Sequence, residues 1–445
     1  MMRPTNWACR HRQRANPTLQ VVQLVQRQMR AVVHRTVRGH GRIVYYARMA
    51  TDDLLHWRSE FPILANSVYL ISHSLGAMPR RARDRLEEYA DTWASRGIRA
   101  WAEGWWELPR TVGDLIGRII GAGQGEVVMH QNQSIAQATV LSAFDWRSPR
   151  NGIVTERLNF PSNLYLFHAL EQEGARLVTV ESDDGMTVPL DRLLAAIDET
   201  TRLVSVSHVV FKSAFIQDIA AVIRRAHEVG ALVLVDLYQS AGTLPVDVRA
   251  LGADFATGGS VKWLCGGPGA GYLYVRREHW DSLRPRLTGW MAHRAPFAFE
   301  DRPIDYAEDA YRFLNGSPNV PALYAARSGY EIVGEIGVEA IRAKSVRQTQ
   351  YLVSLADAAG IRVAGPRESS QRGGTVTLDV PSGHAVAAAL AARDVLIDYR
   401  PGAGIRVSPH FYTSDEELDS FVDHLTQVMA SPAGRSAGAV RSAVY

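Results

Sequence analysis

Between residues 203 and 235 the chain reads strand, helix, strand, and no other feature constrains its fold as tightly. Residues 203–210 form an apolar run of strand length, Ile216, Ile219, Ile223, Ala226 and Val229 follow at helical spacing, and 231–235 is a second buried strand. Two strands joined through a helix lie parallel, with a right-handed crossover. The same alternation at 152–155, 175–180 and 272–275 predicts a large α/β domain over 116–320 with helices on both faces. A smaller α+β domain is expected over 321–432: a helix from 321, strands at 375–380 and 404–408, and helices at 384–392 and 415–429. The last helix opens on Thr413-Ser414-Asp415-Glu416-Glu417, a strong start signal. Residues 49–115 are expected to supply small-domain and interface helices, and 433–445 a frayed tail.

Across 445 residues, 49 Lys+Arg stand against 46 Asp+Glu, a formal net charge of +3, which argues against a nucleic-acid binder. Hydrophobic residues at 46% and charged residues at 21% exclude a disordered, collagenous or coiled-coil chain. Apolar runs such as 232–235 and 385–392 are too short to span a membrane. Two cysteines, Cys9 and Cys265, are too few for a disulfide framework or a four-cysteine zinc site, so a cytoplasmic protein without a metal is expected. Only three of the 49 basic residues are lysines: Lys212, Lys262 and Lys344. Arginine stays protonated and forms no Schiff base at neutral pH, so any lysine chemistry has three candidates.

Residues 1–48 contain ten arginines and no acid, a charge of +10 that leaves the remaining 397 residues at −7. The segment lacks the unbroken apolar stretch of a secretory signal and the serines of a transit peptide. It is expected to be a basic extension, untranslated or disordered, with Met49 as a candidate start; a basic arm for nucleic acid or acidic lipid is the alternative.

Ligands of open α/β sheets sit outside the carboxyl ends of the strands. Asp236 ends the strand at 231–235, where a buried carboxylate needs a cation or donor; a protonated cofactor ring nitrogen and a plain capping role are both open. Lys262 lies in Gly258-Gly259-Ser260-Val261-Lys262-Trp263, before further glycines at 266, 267, 269 and 271. Glycines let backbone approach a ligand, and apolar neighbours disfavour the charged amine. A dinucleotide loop fails because Tyr272 stands where a glycine is needed, and a phosphate-binding P-loop fails because the lysine precedes the glycines. Pyridoxal 5'-phosphate needs a lysine, an anion, a stacking ring and a phosphate cup. Gln133 and Ser134 at a helix start suit the phosphate, and Phe160 in Phe160-Pro161-Ser162-Asn163 suits the ring.

In this order the segments resemble the class V aminotransferase family of pyridoxal-phosphate enzymes, and within it the kynureninases. The resemblance runs from about 57 to 429, through Tyr69-Leu70-Ile71-Ser72-His73, Phe160-Pro161-Ser162-Asn163, Asp236-Leu237-Tyr238-Gln239, Ser260-Val261-Lys262, Gly289-Trp290, Gly316-Ser317-Pro318 and Gly404-Ile405-Arg406. It implies fold type I, a large domain on a mostly parallel, seven-stranded-type sheet, and a homodimer with a shared active site. By the resemblance Lys262 is the Schiff-base lysine, Asp236 pairs with the ring nitrogen, Phe160 stacks, and Gln133 and Ser134 hold phosphate. Asn163, Gln239 and Ser260 fall in the cofactor segments, while Trp290 and a neighbouring subunit's Ser317 are implied to complete the phosphate site. Arg406 is implied to grip the carboxylate of an amino-acid substrate. By their positions, His293 near Trp290 and His73 before Ser74 are candidate substrate contacts or polar loop residues. Three positions depart from the kynureninase pattern: Val261 for a tyrosine, Gln239 for a histidine and Asn163 for an aspartate. The implied activity is hydrolysis of a 3-acylalanine carbon–carbon bond, kynurenine giving anthranilate and alanine. A transaminase, β-eliminating lyase or epimerase is the alternative, and a cofactor-binding regulator a remote one. Trp93, Trp101, Trp105 and Trp106 are read as helix packing, a dimer interface or the wall of an aromatic site, and Cys265 as structural.

Overall fold

The computed structural model describes residues 52–431 and the backbone of two earlier strands. Those strands, Val32–Gly39 and Arg42–Met49, pair antiparallel as a hairpin. The remainder of the expected basic extension, and the tail at 433–445, lie outside the described residues.

Seven strands form the large sheet: β1 (Val127–His130), β2 (Gly152–Glu156), β3 (Arg176–Val180), β4 (Thr201–Ser207), β5 (Leu232–Asp236), β6 (Phe255–Gly259) and β7 (Gly271–Val275). Their order is β1-β7-β6-β5-β4-β2-β3. Neighbours from β3 to β6 run parallel, and β7 is antiparallel to both β6 and β1. The mostly parallel α/β sheet and the smaller sheet domain read from the sequence are both present. Strands β4 and β5 are near-continuously apolar because both faces are covered, and Leu203, Val204, Val206, Val233, Leu234 and Val235 are all buried. Strands β1 and β6 escape the sequence pattern. The end of β6, Ala256-Thr257-Gly258-Gly259, has few strand-favouring side chains. Its glycines answer to packing instead, since a β-carbon at Gly258 would overlap the Tyr272 hydroxyl and one at Gly259 the Tyr238 hydroxyl.

Helices α1 (Arg81–Arg96) and α2 (Leu108–Ile120) both contact α6 (Val320–Ile336). Helix α3 (Gln133–Leu141) is capped by Asn132, whose Oδ1 accepts from Ile135 N at 3.0 Å. Helix α4 (Pro161–Glu171) begins at Pro161 and follows β2, and α5 (Ile219–Glu228) is the crossover between β4 and β5.

The second sheet has the order β8-β9-β11-β10, from β8 (Arg362–Val363), β9 (Val376–Asp379), β10 (Asp398–Arg400) and β11 (Gly404–Val407). It packs with α7 (Val338–Ala358), α8 (Gly383–Ala391) and α9 (Asp415–Ala430) around a core containing Leu352, Leu378, Ile405 and Phe421. The expected start of α9 is a full capping box between Ser414 and Glu417. Val68–Tyr69 pairs in parallel with Val395–Leu396, tying the N-terminal segment to this region. In the same way Ile71 bridges to Ser408, which brings the Ser72-His73 turn to the end of β11.

Candidate active site

At the carboxyl end of β5 the Asp236 side chain is buried. Its Oδ2 accepts from Asn163 Nδ2 at 2.9 Å and its Oδ1 from the Tyr238 N–H at 2.8 Å. Asn163, on the first turn of α4, is itself oriented by donating to Asn159 Oδ1 at 2.8 Å. The asparagine that stands where the resemblance implied an aspartate is therefore a donor holding the Asp236 carboxylate in place.

Lys262 follows β6 beyond Ser260. Its Nζ makes no hydrogen bond or ion pair among the described residues and lies 4.3 Å from the Tyr238 ring centre and 5.6 Å from that of Phe160. Burial lowers its pKa to about 8; the Asp236 carboxylate opposes the shift and Arg406 adds to it. An amine so placed is a nucleophile near neutral pH.

Beside it the start of α3 lies over the sheet so closely that a β-carbon at Gly271 would strike the Asn132 backbone. Gln133 is buried, donating to Thr257 Oγ1 at 3.3 Å, and Ser134 is exposed at the helix mouth. Free backbone N–H groups at such a start attract an anion.

Arg406, on β11, is 3% exposed. Its Nε donates to Asp398 Oδ1 at 2.8 Å, its Nη2 to Asp398 Oδ2 at 2.5 Å and its Nη1 to the Phe211 carbonyl at 2.6 Å. Phe211 packs edge-on against Phe160 at 5.3 Å, which links the arginine to the lysine end. His73 Nε2 is 3.0 Å from Asp398 Oδ1, and its Nδ1 is 2.5 Å from Ser408 Oγ, which lies 2.8 Å from Thr375 Oγ1. Burial lowers the His73 pKa to about 4, with the Arg406 charge adding and Asp398 opposing. The neutral ring donates from Nε2 and accepts at Nδ1. Burial raises the Asp398 pKa, but its contacts to His73 and Arg406 outweigh that and hold the carboxyl well below the usual range.

The aminotransferase class-V family model matches residues 68–421. The chain belongs to that family. It is 34% identical over 396 residues to a kynureninase of Pseudomonas fluorescens, covering 85% of this chain and 93% of that protein. A kynureninase of Burkholderia pseudomallei is 33% identical over 398 residues, covering 86% and 94%. Among solved structures, apo cysteine desulfurase from Thermococcus onnurineus NA1 superposes with a TM-score of 0.75 at 24% identity, covering 86% of this chain and 100% of that one. A C-DES variant with glycine covalently linked to the PLP cofactor also scores 0.75, at 20% identity, covering 83% and 98%. This kynureninase-like member of the family is a pyridoxal-phosphate-dependent enzyme of fold type I. The site has the matching parts: a buried carboxylate, an amine with no hydrogen bond among the described residues, a helix start and a glycine floor with no room for side chains.

Other expected site residues sit in different surroundings. Gln239 has both ends of its amide engaged, donating to the His73 carbonyl at 3.0 Å and accepting from Trp263 Nε1 at 2.9 Å. Ser260 Oγ donates to the Ala270 carbonyl at 2.5 Å and contacts the Tyr330 hydroxyl. Trp290 is part-exposed and packs on Trp106, Phe297 and Phe299, while Ser317 is exposed. His293 accepts from the Ala295 N–H at 2.9 Å within its own loop. Of the tryptophan cluster, Trp105 is buried and donates to Tyr324 on α6 at 3.2 Å, Trp101 packs on it, and Trp93 is exposed. Cys265 is buried and its pKa is pushed up to about 12, so it is no thiolate nucleophile. Sequence reasoning missed Asp398; the only signal was an acidic residue in an otherwise strand-like run eight positions before Arg406.

Proposed function

We propose that this enzyme hydrolyses the β,γ carbon–carbon bond of a 3-acylalanine, with kynurenine giving anthranilate and alanine. The observation that carries the reading is the free part of the Arg406 fork. Of five guanidinium N–H donors, three are held by Asp398 and Phe211, leaving one on each terminal nitrogen among the described residues. Two donors on adjacent nitrogens suit the two oxygens of a substrate α-carboxylate. Asp398 keeps the fork from rotating, so little ordering remains when substrate arrives.

At the other end, Asp236 would hold the cofactor ring nitrogen, Phe160 would cover the ring, and Gln133, Ser134 and the α3 backbone would receive the phosphate. When bound, the cofactor supplies an electron sink for charge that develops at the substrate α-carbon. Lys262 would hold the cofactor, and its amine, with a pKa of about 8, is suited to take and return a proton at the substrate α-carbon near neutral pH. Trp290 and Ser317 belong, in this reading, to a subunit-shared phosphate site in a homodimer. The exposed group of Trp290, Phe297 and Phe299 supports such an interface. No helix among the described residues is long and apolar enough to cross a membrane, and a cytoplasmic setting is part of the proposal.

Val261 and Gln239 favour a second reading, in which the same site performs transamination, β-elimination or epimerisation. Incubation of the holoenzyme with kynurenine and 3-hydroxykynurenine decides between them. Anthranilate or its hydroxylated form plus alanine is expected; a keto acid, or turnover of other amino acids alone, would replace the hydrolytic reading.

A further inference from the structure

We propose that the Tyr238 hydroxyl anchors the cofactor phosphate beside Lys262. The proposal rests on the cofactor and not on the reaction outcome. Tyr238 follows Asp236 by two residues and its ring lies 4.3 Å from Lys262 Nζ. Its hydroxyl rests directly on Gly259, where a β-carbon would overlap it. Gly259 pairs across the sheet with Gly271, and Asn132 and the Gln133 N–H sit directly on Gly271. Paired residues share a face of the sheet and their β-carbon positions lie about 5 Å apart. The Tyr238 hydroxyl and the start of α3 therefore stand over two adjacent glycines on one face, close enough for one phosphate group to touch both.

Further groups define the same face. Thr257, two residues before Gly259, points to this side, where its hydroxyl accepts from Gln133 at 3.3 Å and Gln137 at 3.2 Å. The Tyr238 hydroxyl has no hydrogen-bond partner among the described residues, and its pKa is pushed up to about 12, by burial first and then by Asp236, so it stays a donor. Tyr272 offers the contrast. Its hydroxyl is buried and likewise has no hydrogen-bond partner among the described residues, but it rests on Gly258, which faces the opposite side of β6.

The test compares two ligands on apoenzyme. In Tyr238→Phe the dissociation constant of pyridoxal 5'-phosphate, followed by quenching of tryptophan fluorescence, is expected to rise about tenfold or more, the loss of one hydrogen bond to a charged group. Binding of pyridoxal, which has no phosphate, should stay unchanged, and Tyr272→Phe should alter neither. Unchanged phosphate-ester binding in Tyr238→Phe, or an equal loss for both ligands, overturns the proposal. Failure of the wild-type chain to bind pyridoxal 5'-phosphate would instead overturn the cofactor placement on which it rests.

Discussion

Lys262, part-buried, and Arg406, fully buried, are two basic side chains of one site, and the structure treats them in opposite ways. Among the described residues the Lys262 amine meets the rings of Tyr238 and Phe160 without a hydrogen bond, whereas Arg406 makes three hydrogen bonds, two of them to a carboxylate as buried as itself. The chemistry of the two side chains explains the difference. A buried lysine escapes the cost of desolvation by losing its proton, and its pKa falls to about 8. An arginine has no such escape and must be paired where it is buried. The unpaired group is thereby reactive and the paired one is rigid.

The sharpest break of this comparison is at the reactive end. Lys262→Ala is expected to abolish the visible absorbance of the lysine-bound cofactor and to lower turnover by about three orders of magnitude or more, while leaving folding intact. Near-normal turnover in the purified variant would remove Lys262 from the chemistry.

At the rigid end the first casualty is stability. Asp398→Ala leaves the Arg406 charge buried without its carboxylate, which costs about 3–5 kcal/mol of unfolding free energy. Denaturant titration should show the midpoint falling at constant slope, with the surviving folded fraction still binding cofactor. A loss below about 1 kcal/mol would mean that water reaches Arg406 and that the pair is an ordinary surface bridge.

The lysine end is tested more finely by pH. Capture of pyridoxal 5'-phosphate by apoenzyme requires the neutral amine, so its rate should rise about tenfold per pH unit below the Lys262 pKa of about 8 and level off above it. A rate still climbing at pH 10 would show a lysine in ordinary solvent.

Much of this contrast was legible in the sequence, and for identifiable reasons. Strands β4 and β5 were readable because burial on both faces makes them apolar throughout, and Lys262 because so few lysines compete with it. The capping box of α9 was readable because it is a local interaction between Ser414 and Glu417. Asp398 was not, because its role exists only when β10 and β11 pair and bring it opposite Arg406. Strand β6 was hidden because glycines required by two overlying tyrosine hydroxyls replaced the side chains that mark a strand. For Gln239 the residue was seen but its direction was not: a loop position after Asp236 does not reveal whether the amide turns toward ligand or toward Trp263.

The mildest test asks whether His73 belongs to the rigid end. Its folded pKa of about 4 lies below the ordinary value of 6.5, so between those limits the unfolded chain binds the additional proton. Stability from this residue is therefore complete above pH 6.5 and is lost as pH falls toward 4. His130, His208 and His410 are buried with similarly lowered values and share that acid limb, so the whole-protein curve does not isolate His73. Glutamine at position 73 can still donate toward Asp398 and accept from Ser408 but cannot titrate. The difference in unfolding free energy between His73→Gln and wild type should thus shift by about 1 kcal/mol in favour of the variant between pH 7.5 and 5.5. A difference independent of pH would show that folding leaves the His73 pKa unshifted, and a shift favouring wild type as pH falls would show that the ring is protonated in the folded protein, adding a third cation to the Arg406 and Arg400 already paired with Asp398.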